Sequence, residues 1–332
     1  MTFNWEYSSI DEIINNKLKD FLPKRVFDSH AHLYRLSDLN INENTFLSEG
    51  PKESGFNVWK EHISKIVKGA ELCGGLFFPM VSHNCDIGSS NSFLLEQLEL
   101  STNNRGLILI SPDSQTMKIE EYLMNPRIIG FKPYFYFSRE RPIEESSILS
   151  FLPEWIWELA HSRKLTIMLH IVKRKALADH ENQDVLCRMC RKYNGVKLIL
   201  AHAARGFNAQ NTIDGLEILK ELDNIWFDSS AICETKSLKA VLKCFGSGKL
   251  LWGTDFPDSH IRGKCVSVGD GFAWLDNTNV NWEKLFPSCN PVLFGIESLL
   301  ALNEVADDLE LNEDDIKNIF IENALKLFGI GN

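Results

Sequence analysis

The sequence has no apolar run approaching the roughly 18 residues that a membrane-spanning helix needs. Its opening Met-Thr-Phe-Asn-Trp-Glu-Tyr has neither the cationic start nor the apolar core of a signal peptide. A cytoplasmic protein without a membrane partner is therefore expected. Cations are also scarce: 35 Lys and Arg stand against 45 Asp and Glu, a net charge of −10, with no long basic run. A nucleic-acid surface needs clustered cations to neutralise phosphates, so no nucleic-acid partner is expected. No G-x-G-x-x-G or P-loop follows the first predicted strand, which removes the usual nucleotide site of an open doubly wound sheet. The eight cysteines, Cys73, Cys85, Cys187, Cys190, Cys233, Cys244, Cys265 and Cys289, are scattered rather than framed for disulfides. Only Cys187 and Cys190 form a C-x-x-C, on a predicted helix. With no second pair to complete a four-cysteine zinc site, they read as ordinary thiols. Internal repeats and low-complexity tracts are absent as well.

What is present is ordinary globular material, 44% hydrophobic and 24% charged over 332 residues, enough for one large α/β barrel with decorations. Short apolar or β-branched runs alternate with longer amphipathic stretches. The predicted strands are Val26–Ser29, Gly75–Val81, Gly106–Ser111, Ile128–Tyr134, Leu165–Ile171, Val196–His202, Asn224–Ser229 and Lys249–Asp255. Several are apolar almost throughout, as strands covered on both faces should be. Helices are predicted at Trp59–Glu71, Ser92–Ser101, Lys118–Met124, Pro153–Ser162, Asp184–Tyr193, Ile213–Leu222 and Lys236–Phe245, with Pro153 in a first turn and Gly246 as a stop. Eight strands with intervening helices predict a (β/α)₈ TIM barrel. Residues 1–23 are expected as an N-terminal helical extension and 24–332 as the barrel. Long loops are expected after the first strand, Leu33–Asn57, and after the eighth, Pro257 to about Asn290. A C-terminal helical extension runs from N-cap Asn312 to the stop at Gly329.

The chemistry is concentrated at the ends of the predicted strands. His30 and His32 stand two apart on the first strand, so both imidazoles face the barrel interior; alone, H-x-H is weak evidence for a metal. Asp28 is expected to share that face one layer deeper, as a buried polar group or a support for the ligands. His170 closes the fifth strand, His202 the sixth and Asp255 the eighth. Each taken singly has a bland reading, as a hydrogen-bonded core histidine or a turn-capping aspartate. Together, at one rim where barrel enzymes carry their sites, they predict a metal centre. Further polar ends at Ser82-His83, Ser111, Lys132 and Ser229-Ser230 make that rim polar.

The pieces Phe27-Asp-Ser-His-Ala-His32, Gly130-Phe-Lys-Pro133, Met168-Leu-His170, Leu200-Ala-His202, Leu251-Trp-Gly-Thr-Asp-Phe-Pro257 and Asn323-Ala-Leu-Lys-Leu-Phe-Gly329 resemble the amidohydrolase superfamily, specifically its amidohydrolase-2 family of hydrolases, lactonases and metal-dependent decarboxylases. The resemblance spans about Phe27 to Gly329. It implies that His30, His32 and His170 bind a divalent metal, with Asp255 as ligand or general base and His202 as a second-metal ligand or proton-handling group. Lys132 is either a carboxylated bridge between two metals or a charge partner of Asp255 or of a substrate carboxylate. One zinc ion is expected, with manganese, iron or a second ion as the alternatives. Arg35 and Arg205 are candidate grips for a substrate carboxylate, Tyr134 with Tyr136 and Phe137 a candidate pocket lining, and a homodimer is the assembly the resemblance allows. The leading functional reading is hydrolysis of a small ester, lactone or amide. Non-oxidative decarboxylation comes second, and a non-catalytic binding barrel third.

Overall fold

The computed structural model describes residues 5–41, 45–285 and 289–331. Residues 1–4 of the expected extension, 42–44 and 286–288 of the two expected loops, and Asn332 lie outside the described residues. All eight predicted strands are present: β1 (Arg25–Arg35), β2 (Glu71–Pro79), β3 (Arg105–Ile110), β4 (Ile128–Pro133), β5 (Thr166–Leu169), β6 (Lys197–Leu200), β7 (Ile225–Asp228) and β8 (Leu250–Leu251). They pair in parallel, each with the next, and the sheet curls round. The segment after β8 runs beside β1. Ser29 N donates to Trp252 O at 2.9 Å, Asp255 N to His30 O at 2.8 Å and His32 N to Phe256 O at 2.6 Å, which closes the barrel.

The interior is layered. Phe27, Leu76, Phe78, Leu107, Met168, Ile199 and Leu251 fill the lower barrel, and the C-terminal segment plugs its floor with Ile321, Leu325, Phe328 and Ile330. That segment starts as expected: the Asn312 side chain accepts from the backbone N–H groups of Asp314 and Asp315. It ends at Gly329 in the left-handed region, φ +64°. Between these ends the backbone passes through a π turn at Asn318–Glu322 rather than one uniform helix. The Lys197 ammonium and the Arg105 guanidinium donate to the carbonyls of Leu327, Phe328 and Gly329, placing cations on the helix's negative end.

Three expectations need correction. The first strand runs on to Arg35, where it meets a short antiparallel strand, Glu53–Ser54, so the first loop begins later than Leu33. The segment after β8 is built rather than irregular. It carries a hairpin, Gly263–Val268 with Gly271–Asp276, held in register from Gly263↔Asp276 to Val268↔Gly271. A helix at Phe294–Asp308, the eighth outer helix of the barrel, was not among those expected. Cys187 and Cys190 sit buried in the helix His180–Lys192, and burial pushes the Cys190 thiol up to about 12, as inert core thiols require. No helix among the described residues is long and apolar enough to cross a membrane.

The N-terminal helix Ser9–Asn15 is fastened to the segment after β8 by a buried ion pair. The Arg262 guanidinium donates to both Asp11 oxygens, at 3.0 and 2.6 Å, and Leu293 N donates to Asp11 Oδ1 at 3.1 Å. Burial alone would raise the Asp11 carboxyl, but the hydrogen bonds from Arg262 and Ser8 outweigh it and hold it below its ordinary value. A lowered acid stabilises the fold above its unfolded pKa and loses that contribution as pH falls through the folded value. Replacing Asp11 with Ala strands a buried guanidinium and is expected to cost about 3–5 kcal/mol in urea unfolding. The variant should also lose the part of the stability decline below about pH 4 that this pair contributes.

Candidate metal centre

The face that β1 presents to the interior is set by an irregularity. In the register with β2, Phe27 opposes Gly74, Asp28 opposes Gly75, and Ala31 opposes Phe77, so β1 holds one residue more than its partner between Asp28 and Ala31. An extra residue reverses the alternation of side chains. Phe27 faces in, Asp28 turns out toward the helical layer, and His30 and His32 face in again over the Phe78 ring, with centroids at 4.9 and 4.6 Å. The expectation that Asp28 shares the histidines' face is thus corrected. Its carboxylate instead accepts four hydrogen bonds. These come from His30 N at 3.1 Å, Trp59 Nε1 at 2.8 Å, Thr254 N at 2.9 Å and Thr254 Oγ1 at 2.6 Å. Burial pushes this acid up to about 6, and the four donors keep it ionised at neutral pH. It ties β1 to the chain beyond β8. Gly253 makes that approach possible, since a Cβ there would lie 2.6 Å from His30 Cβ.

Across this seam Asp255 meets the histidines. His30 Nε2 lies 3.1 Å and His32 Nε2 3.4 Å from Asp255 Oδ1, and His202 Nδ1 lies 3.9 Å from Asp255 Oδ2. On its other side the His30 Nδ1 atom is 2.9 Å from Asp228 Oδ2, while His32 Nδ1 is 3.2 Å from Pro79 O. Two sets of donor atoms lie within 4.8 Å of one another: His30, His32 and Asp255, and His30, His202 and Asp228. Burial depresses His32 to about 4 and also lowers His170 and His202, so these imidazoles are neutral and able to offer a lone pair at neutral pH. Burial works against ionised Asp255, but His202 and His30 outweigh it and hold the carboxyl well below its ordinary range.

Backbone strain accompanies the site. Asp255 has φ +58°, and His202, Ala203, Ala204 and Arg205 form a left-handed turn with φ of 56°, 50°, 60° and 57°. For residues other than glycine this conformation costs roughly 1–2 kcal/mol each, so the surroundings must enforce it. Asp228 Oδ1 accepts from His202 N at 3.0 Å, and Thr212 Oγ1 donates to Ala203 O at 3.0 Å. The turn ends by projecting Arg205 beneath Phe272 of the hairpin, 5.7 Å from the ring centroid, with Nη1 buried and unpartnered.

The remaining expected residues divide. His170 borders the cluster, its ring 5.0 Å from His202 and 5.7 Å from Tyr134, but it belongs to neither compact donor set. Tyr134 lines the mouth beside Tyr136, centroids 5.0 Å apart. Lys132 is buried inside the barrel with its ammonium 4.7 Å above the Phe78 ring and no hydrogen-bond partner; burial lowers it to about 8. The anticipated pairing of Lys132 with Asp255 is therefore not formed. Arg35 is corrected outright: it sits on the opposite face of β1, pairs with Glu96 and Glu53, and stacks 4.4 Å over Phe93 of the outer helix Ile87–Leu98. Sequence reasoning missed Asp228, Thr254 and Asp258. Asp228 closes the apolar run Ile-Trp-Phe-Asp of β7 and gave the same strand-end signal as His170 and His202. Asp258, just beyond Asp255, is raised well above its ordinary range by burial and by the neighbouring charge of Asp255.

A sequence profile of the amidohydrolase family matches residues 109–330. The chain belongs to the amidohydrolase family. No curated protein sequence matches the chain. Solved structures similar in fold include a Burkholderia multivorans amidohydrolase with bound zinc, 12% identical over 92% of this chain and 100% of that one, TM-score 0.62. A probable 2-pyrone-4,6-dicarboxylic acid hydrolase from Acinetobacter baumannii, with citric acid bound, is 14% identical over 92% and 99%, TM-score 0.59. A dihydroxybenzoic acid decarboxylase from Polaromonas, with manganese and 2-nitroresorcinol, is 13% identical over 93% and 98%, TM-score 0.56. At these identities the likeness establishes the barrel fold. Within this family, the His and Asp donor sets described above are suited to a divalent ion.

Thr254 tests the seam on which these positions depend. Thr254→Val removes a charge-assisted hydrogen bond to Asp28 at nearly constant volume, and is expected to cost about 2–3 kcal/mol in denaturant unfolding.

Proposed function

We propose that the chain is a divalent-metal-dependent hydrolase of a small carbonyl compound, an ester, lactone or amide that also carries a carboxylate. One observation carries the metal reading. The acceptor Asp228 fixes the proton of His30 on Nδ1, which leaves Nε2, buried and without a hydrogen-bond partner, facing Asp255 Oδ1 across 3.1 Å. In a low-dielectric interior these two atoms repel unless a proton or a metal cation lies between them, and, against the effect of burial, the charges of Asp228 and Asp255 raise the His30 pKa, so the site draws positive charge. His32 presents its own Nε2 to the same oxygen. We assign His30, His32 and Asp255 as the ligands, with His170 completing the set from the end of β5, beside His202. Imidazole and carboxylate donors suit zinc first and manganese or iron next. A divalent ion there would bring water's pKa toward about 7 and polarise a carbonyl.

The protein's own groups supply the rest. Asp255, ionised and strained into position, accepts the proton of the attacking water and passes it to the leaving group. His202 is a neutral base beside it. Arg205 offers its unpartnered Nη1, and Lys132 its unpartnered ammonium, to a substrate carboxylate, while Tyr134 walls the pocket. Those two cations also favour a second reading: if they hold a carboxylate at the reacting carbon, loss of CO₂ and protonation of the carbon left behind replace attack by water.

Metal analysis by mass spectrometry and calorimetric titration should find one divalent ion per chain. A chain that binds none, on purification without chelator and on titration, overturns the proposal. Asp255→Asn should lower kcat on the identified ester or lactone by about 10²–10⁴-fold, whereas Arg205→Met should act mainly on KM for carboxylate-bearing substrates. Release of CO₂ from aromatic acids, with no ester or lactone cleaved, would establish the second reading instead.

A further inference from the structure

Behind the proposed ligands lies a fully buried polar node, of which the reading above uses only the contact of Asp228 with His30. Asp228 ends β7, and Ser230 follows two residues later; both are 0% exposed. Ser230 Oγ donates to Asp228 Oδ1 and lies 2.9 Å from His202 Nδ1 and 3.1 Å from His30 Nδ1. The carbonyl of Ser230 is a further acceptor, 3.1 Å from His202 Nδ1. Asp228 Oδ1 also accepts the backbone N–H groups of His202, at 3.0 Å, and Ser230, at 3.1 Å, and Oδ2 faces His30 Nδ1.

The same three residues, His30, His202 and Asp228, meet the distance requirement for a second ion. The Ser230 hydroxyl decides against that use, because it sits within hydrogen-bond reach of all three and fills their common centre. The proton count is also unambiguous. Ionised Asp228 has acceptors only, so the Ser230 proton goes to Oδ1 and the His30 Nδ1 proton to Oδ2. Ser230 Oγ and Ser230 O then remain as acceptors for the His202 Nδ1 proton. Every hydrogen bond in the node is satisfied by one arrangement alone.

We propose that Asp228 and Ser230 are positioning residues: they fix both His30 and His202 as the Nδ1–H tautomer, turning both Nε2 lone pairs away from the node, and Asp228 pins the left-handed turn that carries His202 and Arg205. The space among His30, His202 and Asp228 is then held by hydrogen bonds and not by an ion. The metal part of this inference rests on the function proposed above; the tautomer part does not. A carboxylate or carbonyl behind a ligating histidine raises its affinity for metal, and loss of such a partner typically lowers that affinity 10–100-fold.

The test uses the full chain with ¹⁵N-labelled histidine. In chelator-treated protein at mildly alkaline pH, long-range ¹H–¹⁵N spectra should show His30 and His202 protonated at Nδ1 and bare at Nε2. Asp228→Asn should shift His30 toward the other tautomer and weaken zinc binding by about 10–100-fold in calorimetry. Ser230→Ala should disturb His202 while leaving His30 on Nδ1. It also covers the case in which Asp228→Asn does not fold. Wild-type spectra showing either imidazole protonated at Nε2, or folded variants with both tautomers unchanged, overturn the inference. A second ion bound per chain in the wild type and lost in Asp228→Asn overturns the node's exclusion of it. A wild-type chain that takes up no zinc overturns the metal reading, while the tautomers still stand or fall on the spectra alone.

Discussion

The barrel depends on a seam. A closed sheet must join its last strand to its first, and here the join is made beyond β8 by three backbone hydrogen bonds and one buried carboxylate. Asp28 accepts four hydrogen bonds, one from its own strand, one from the helical layer and two from Thr254. A carboxylate in a dry interior is costly unless its lone pairs are satisfied, and this one is satisfied only when β1, the Trp59 helix and the Thr254 segment are all in register. The arrangement that closes the barrel also sets Asp255 against His30 and His32. Closure and site assembly are therefore one event, and disturbing the seam disturbs the chemistry.

Around that seam the site is enclosed, and His30, His32, His202 and Asp255 are all buried. The C-terminal segment fills the floor with Leu325 and Phe328, and the lower strands contribute Leu76, Met168 and Leu251. At the mouth, Phe272 and Trp274 of the hairpin pack on Phe207, which stacks on the His202 ring at 5.3 Å. Burial in this apolar bed and aromatic rim leaves His32, His170 and His202 neutral, the state a metal ligand requires. The energy of this apolar packing also sustains the positive-φ turn at His202–Arg205, whose strain would unwind in a less constrained loop.

Much of this was legible in the chain itself. The eight apolar runs, the strand-end positions of His30, His32, His170, His202 and Asp255, and the capped C-terminal segment follow from local chemistry: burial on both faces of a parallel strand, and side chains that end helices. The helix at Phe294–Asp308 was missed although its sequence carries a helical period, with Glu297, Glu304 and Asp308 on the side turned from the core. Asp228 escaped although it carried the strand-end signal, since a lone Asp after Phe227 reads equally as the start of a turn.

What the sequence by itself determined is the order of strands and helices and which residues reach one rim, because those depend on periodicities of two and 3.6 residues along the chain. What only the tertiary structure decided is which way particular side chains point and what they face. One extra residue in β1 sends Asp28 outward, and no local pattern marks where a bulge falls, since it is fixed by pairing with β2; Arg35 reaches the helical layer because the strand runs on past His32 with plain alternation. Whether Lys132 meets a carboxylate, and whether Ser230 or an ion fills the space beside Asp228, likewise depends on strands far apart in sequence. The metal centre is written in the residues, but its geometry is written in the seam.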